Sequence, residues 1–228
     1  MSKKIAVVPA RGGSTRLKDK NICLLGGKPL ICHTIESVIE SGCFDKIFVS
    51  TDSEAIAKVA TRYSEVELYN REPEFSGERV TVVSALLDMI TKIEEHDVFA
   101  YFLPTCPFRN AKDIRDGIEL LTHDVDSVIS GTYYDEPPQL AMIHGQNNFA
   151  YPVFDNLKAG VTNSKYFTKY IRPSGGFYMG WRDRLLKNEN FFSGNIKTVI
   201  TPKERAVDID DALDMQFAEI IFNQTRRN

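Results

Sequence analysis

The segment PARGGSTRLKDKN, residues 9–21, interleaves Gly12, Gly13 and Ser14 with Arg11, Arg16, Lys18 and Lys20. Glycines let backbone amides approach an anion closely and the cations neutralise it, so the segment is suited to holding phosphate. It is neither the GxxxxGK[ST] loop nor GxGxxG, and its bland reading is a basic surface turn. Near the other end of the chain, Asp208 and Asp210 are separated by one residue. In an extended segment, side chains at i and i+2 share a side. The two carboxylates therefore converge as hard oxygen ligands of the kind magnesium takes beside phosphates and water. The competing reading is that Asp210, Asp211 or Asp214 starts the last helix, since acids favour helix N-termini. One acid suffices for that, so both readings can hold. The four histidines and four cysteines form no HxxxH, CxxC or mixed cluster, which argues against a zinc site.

The elements that must position these groups alternate strand and helix. KIAVVPA at 4–10 reads as a buried strand stopping at Gly12-Gly13, and KIFVS at 46–50 as a second. A weaker strand is expected over 65–69, a strongly apolar one over 98–103, and another over 125–131. Helices are expected over 30–41, ended by Gly42, from Asp52 or Ser53 through Ala60, over 79–93, and from an Asn110 cap through Leu121. Asp52 is read here as a helix cap. This rhythm implies a mostly parallel sheet with helices on both faces and ligands beyond the carboxyl ends of its strands. Those ends are Pro9–Lys20, Ser50–Asp52, Arg71 and Leu103–Arg109. Residues 132–174, with Pro137-Pro138 and several Asn, break the rhythm and read as a β-rich insertion, a hairpin arm. Regular structure resumes at 176–179, 197–201 and in a helix over 211–223. The 228 residues are read as one domain.

Composition narrows the classes. Against 31 Asp+Glu stand 28 Lys+Arg, a net charge of −3, and the basic residues are scattered. Arg226-Arg227 reads as a solvated end. No nucleic-acid stripe is expected. No run approaches the roughly 18 apolar residues of a membrane span, and no secretory leader is visible. The cysteines then read as reduced thiols, and a cytoplasmic location is expected.

PARGGSTRLKDKN followed by GGKPL resembles the signature of the CMP-sialic acid synthetase (acylneuraminate cytidylyltransferase) family, ARxGSKxxxxKN then GKPL. The resemblance runs in order through STDSEAIA at 50–57, Arg71, LPTCPFR at 103–109, GGFYM at 175–179, Phe191-Phe192 and VDID at 207–210. It implies a Rossmann-like nucleotidyltransferase fold that joins CTP to an acidic 3-deoxy-2-keto sugar, a nonulosonate such as sialic, legionaminic or pseudaminic acid, with release of pyrophosphate. It also implies Mg²⁺, replaceable by Mn²⁺, and a homodimer whose arm reaches the partner's site.

By the same resemblance Ala10, Arg11, Gly13, Ser14, Lys20, Asn21 and Arg71 hold the nucleotide, with Arg11 and Lys20 on the phosphates and Arg71 on cytosine. Asn21 is otherwise a turn or cap residue, and Arg71 otherwise a surface salt bridge. Asp208 and Asp210 hold the metal. Asp210 or a metal-bound water is expected to take the hydroxyl proton. Leu103, Arg172, Tyr178, Phe191 and Phe192 match the sugar pocket, although an aromatic pair is also ordinary core. Two positions depart from the pattern. Thr15 stands where the family has Lys, with Arg16 beside it, and Leu103 stands where the family has Gln. The alternatives are a related nucleotidyltransferase for another sugar, or a nucleotide-binding homologue without turnover.

Overall fold

In the computed structural model, which describes residues 2–75, 77, 80–93 and 95–225, seven strands form one sheet. They are β1 (Lys4–Pro9), β4 (Lys46–Thr51), β5 (Val66–Asn70), β6 (Val98–Tyr101), β7 (Ser127–Tyr133), β10 (Ile171–Trp181) and β11 (Ile196–Ile200). The order across the sheet is β11-β7-β10-β6-β1-β4-β5. β10 runs antiparallel between β6 and β7; every other pairing is parallel. Arg226-Arg227 and the expected helix start at Arg79 lie outside the described residues.

Strand alternation sends side chains to two cores. Ala6 and Val8 of β1 and Ala100 of β6 join one cluster, while Ile5, Val7, Phe99 and Tyr101 join the other. The first is covered by α1 (Leu30–Ser41), α2 (Glu54–Ala60) and α4 (Ala111–Leu120) through Ile31, Ile35, Ile56 and Ile114. The second is covered by α3 (Val82–Lys92) and α6 (Arg182–Asn188) through Leu86, Met89, Ile90 and Leu185. Each such side chain contributes about 1.5–3 kcal/mol when fully buried. This sandwich holds the strand ends rigidly.

Local signals explain most boundaries. Gly42 closes α1 in the left-handed region, and Asn110 with Asp113 forms a capping box on α4. Thr81 caps α3, so that helix begins later than the apolar periodicity suggests. The strand after residue 98 ends two residues short of Leu103, and β7 runs on to Tyr133. The insertion is shorter and less β-rich than expected. It holds one small hairpin, β8 (Met142–His144) with β9 (Ala150–Pro152), one helical turn, α5 (Asp155–Lys158), and several 3-10 turns. The expected strand at 176–179 is part of the long β10, which pairs with β7 along its length and shifts register between Pro173 and Tyr178. No helix among the described residues is long and apolar enough to cross a membrane.

A two-strand hairpin, β2 (Leu24–Leu25) with β3 (Lys28–Pro29), turns through Gly26-Gly27 and leads into α1. The last helix, α7 (Ala212–Thr225), packs on it, and Leu25, Leu30, Ile209 and Ala218 form a third small core. Gly26 has φ +59°, and a Cβ there would lie 1.9 Å from the Phe222 ring. Gly26→Ala should therefore destabilise by about 2–4 kcal/mol, combining left-handed backbone strain with a displaced ring. A denaturant melt of the variant within about 0.5 kcal/mol of wild type would contradict this packing.

Candidate active site

The loop after β1 folds back over the carboxyl ends of β1, β4 and β6. Asp52 Oδ1 accepts a 2.8 Å hydrogen bond from Gly12 N, tying the loop to the end of β4. The helix cap is instead Ser53, whose hydroxyl accepts from Ile56 N. The reading of Asp52 as a cap is corrected: the glycine-rich loop lies close enough to claim its carboxylate. Asn21 is buried in a 3-10 turn, and its Nδ2 donates to Arg11 O at 3.0 Å, so it holds the loop from the other side. Arg11 Nη1 reaches across to Gly77 O at 3.3 Å.

The result is a cleft of about 300 Å³ lined by Arg11, Ser14, Thr15, Arg16, Lys20, Asn21, Arg71, Leu103, Thr105, Asp208 and Asp210, with Phe75, Val80 and Val82 as an apolar wall. Arg71 is half-buried at the end of β5, where Nη2 donates to Ser50 O at 3.1 Å and Nε to Ser50 Oγ. Among the described residues no ion pair is formed by it. Burial pulls its guanidinium below the ordinary range; Asp52 opposes that shift and Arg11 adds to it. An arginine that spends two of its five donors on strand-end oxygens can offer the others to a ligand.

The acids arrive from the far end of the chain. Ile209 N donates to Thr105 O at 2.8 Å, which seats residues 208–210 against the loop after β6. Arg205 clamps Asp113 of α4 with both guanidinium arms just before this segment. Asp211 Oδ1 accepts from Leu213 N and Asp214 N, and Asp214 Oδ2 accepts from Asp210 N and Asp211 N. The start of α7 is thus served by Asp211 and Asp214, leaving Asp210 for the cleft. Its Oδ1 accepts from Lys20 Nζ at 2.9 Å and its Oδ2 pairs with Arg16 Nη2 at 3.0 Å. Burial acts to raise the Asp210 carboxyl, but Lys20 and Arg16 outweigh it and hold the group below the usual carboxylate range. Such a carboxylate is a poor proton acceptor at neutral pH. That weakens the expectation of Asp210 as the base while it is so paired.

The floor is set by LPTCPFR. Arg109 is buried; it donates to Leu103 O and, at 2.8 Å, to Thr34 Oγ1 of α1. Burial pulls it down to about 10, against the opposing pull of Cys106, Asp113 and Asp208. Cys106 Sγ donates to Ser174 O at 3.2 Å, and burial, followed by the Asp208 charge, pushes the thiol up to about 12. Gly175 has φ +77° and a Cβ there would lie 2.7 Å from that sulfur, so only glycine lets β10 come this close.

The expected site residues divide. Arg11, Ser14, Lys20, Asn21, Arg71, Leu103, Asp208 and Asp210 line the cleft. Ala10 is in the core and Gly13 points to open space. Arg172 Nη1 donates to Pro173 O and does not line the cleft. Phe191 is 3% exposed, edge-on to Tyr101, and belongs to the second core. Phe192 is exposed and packs edge-on to Tyr178, which itself stacks on Tyr101 at 4.7 Å. Burial, followed by the Cys106 and Asp208 charges, pushes the Tyr178 phenol up to about 12, and none of Tyr178, Phe191 and Phe192 lines the cleft. Sequence reasoning gave no role to Arg109, Arg205 or Phe75. A charged residue closing the mostly apolar run 102–109, which contains Pro104 and Pro107, was the available signal for Arg109; Arg205 carried none.

A basic cleft at the carboxyl ends of a parallel sheet, faced by paired acids, defines an α/β protein of the nucleotidyltransferase class. The sequence profile of a family described as Cytidylyltransferase matches residues 5–131. An N-acylneuraminate cytidylyltransferase of Streptococcus agalactiae is 33% identical over 211 residues, 91% of this chain and 50% of that protein, so the chain spans about half that relative's length. A CMP-N,N'-diacetyllegionaminic acid synthase of Legionella pneumophila is 32% identical over 222 residues, 94% of each chain. A solved CMP:2-keto-3-deoxy-manno-octonic acid synthetase complexed with CTP shares the fold, with a TM-score of 0.69 at 17% identity over 98% of this chain and 100% of that one. The chain belongs to the cytidylyltransferase family.

The roles of Asp52 and Ser53 can be separated. Ser53→Ala should cost about 0.5–2 kcal/mol of stability, the usual value of a lost cap. Asp52→Ala should instead speed hydrogen exchange at the Gly12 amide with α2 protection retained. Unchanged Gly12 exchange in that variant would remove the loop-anchoring role.

Proposed function

We propose that this chain transfers CMP from CTP to the anomeric hydroxyl of an acidic 3-deoxy-2-keto sugar, a nonulosonate, and releases pyrophosphate. The observation that carries this reading is the convergence of Arg11, Lys20, Arg16 and Arg71 from two strand ends on one cleft with Asp208 and Asp210. CTP brings about four negative charges, and fixed cations around the phosphates stabilise the charge that develops on transfer. One such donor is worth roughly 3–4 kcal/mol, or 10²–10³ in rate. Arg71 suits the carbonyl edge of cytosine. The loop amides, held by Asp52 and Asn21, and the Arg11 and Lys20 side chains would orient the triphosphate for in-line attack.

The acids fit a divalent ion. Asp208 and Asp210 line the cleft from one segment, and Asp208 makes no ion pair among the described residues. These two side chains would hold Mg²⁺, with phosphates and water completing its shell. When bound, the ion supplies charge neutralisation at the α-phosphate and the departing pyrophosphate. No group of three or more His, Cys, Asp or Glu among the described residues offers another metal site. Asp208→Asn should lower turnover by about 10² or more and reduce the metal's apparent affinity. Full activity in excess chelator would sink the assignment.

The sugar would lie beside Leu103, whose side chain lines the cleft next to Gly175. Leucine cannot pair with a sugar hydroxyl or acyl amide, and a polar group left without a partner costs about 1–3 kcal/mol, or roughly 10- to 100-fold. Pyrophosphate release from CTP, measured over a panel of keto-sugar acids, tests the function directly. A deoxygenated, legionaminate- or pseudaminate-like acid should give higher kcat/KM than N-acetylneuraminate, with Leu103→Gln narrowing the gap. Preference for N-acetylneuraminate in wild type, unchanged by Leu103→Gln, would show that this position does not select the sugar.

The arm is read as a homodimer contact. Met142, Ile143, Phe149, Tyr151, Val153 and Tyr166 are exposed on it together, an apolar concentration that monomers rarely leave in water. Sedimentation should give about twice 25.8 kDa, and Ile143→Asp with Phe149→Asp should give the monomer. A wild-type monomer at micromolar concentration would overturn the dimer.

A further inference from the structure

Asp210 sits where an anion would be expected from outside. Each of its two oxygens takes a different cation of the β1 loop, Oδ1 from Lys20 and Oδ2 from Arg16. Two non-bridging oxygens of a phosphate present the same chemistry to an ammonium and a guanidinium. Lys20 is largely buried, but the Arg16 side chain is 67% exposed and lies on a loop. An ion pair so open to water is screened and easily broken. Thr15 lacks the lysine of the family pattern, so Arg16 is the neighbouring charge available to the same loop. Asp208 shares the cleft and the segment but pairs with neither cation.

We propose that Asp210 is a built-in stand-in for phosphate, and that Arg16 is a third phosphate-binding cation which Asp210 holds in place beside Lys20 until the nucleotide arrives. The phosphate chain then takes over both cations and releases the Asp210 carboxylate. Nucleotide binding in the absence of metal is therefore opposed by the protein's own carboxylate. This rests on the nucleotide reading above for the identity of the ligand, but the exchange itself concerns any polyphosphate.

Calorimetry on the full chain in excess chelator tests it, with CTP, cytidine and inorganic tripolyphosphate as probes. Arg16→Ala should weaken CTP and tripolyphosphate about tenfold and leave cytidine unchanged, and Arg16→Lys should recover part of the loss. Asp210→Asn should tighten both phosphate probes severalfold. Asp208→Asn removes the same charge from the same cleft without touching either cation, so it should tighten them distinctly less. In the Asp210→Asn background, Arg16→Ala should cost more than in wild type, because Arg16 no longer has to leave a partner. Equal tightening by Asp208→Asn and Asp210→Asn would reduce the effect to general charge and overturn the stand-in. Unchanged tripolyphosphate affinity in Arg16→Ala would overturn the role of Arg16. Wild type binding tripolyphosphate but not CTP would defeat the nucleotide reading while still measuring the exchange, and binding of neither probe by any variant would overturn both.

Discussion

Lys20 and Asp210 stand 190 positions apart in sequence and 2.9 Å apart in space. The rest of the site follows from that contact. A loop carrying Arg11, Arg16 and Lys20 concentrates positive charge at the end of a buried strand, where cations repel one another and water is partly excluded. Bringing the acids of residues 208–210 to the same place neutralises the loop and gives the cleft one cationic wall and one acidic one. The chain must therefore return to the first strand after finishing the sheet.

The return is engineered by backbone and side chains together. Antiparallel β10, inserted between β6 and β7, brings Ser174 and Gly175 against Cys106. Beyond β11, Arg205 locks onto Asp113, and Ile209 N onto Thr105 O. Buried Arg109 joins the same floor to α1. Burying a guanidinium is costly, and the nearby Asp113 and Asp208 charges offset part of that cost. Here the guanidinium fixes the carbonyl of Leu103 from below, at the position that departs from the family pattern.

The aromatic groups show how packing and binding divide a motif. Tyr101, Tyr178 and Phe191 interlock in the second core, so their bulk is spent on holding β6 against β10. Phe192, one residue on, stays exposed against the Tyr178 ring. One position separates a core residue from an exposed one in the bend that joins α6 to β11.

Much of this was legible without coordinates. Continuous apolar runs in β1, β4 and β6, apolar stripes of period 3.6 in α1 and α3 and the Asn110 cap of α4 determined the layered sheet, since a strand apolar on both faces must be covered on both. The glycine-rich basic loop and the Asp208/Asp210 spacing determined the kind of chemistry, because amides, cations and hard oxygens act through local composition. Only the tertiary structure decided that Asp52 anchors the loop while Ser53 caps α2, as both carry a suitable oxygen and the choice depends on what lies within reach. It alone placed Phe191 in the core, left Arg172 out of the cleft lining, and gave Asp210 to Arg16 and Lys20. Long-range pairing depends on where the sheet returns the chain, and no local pattern of residues specifies that.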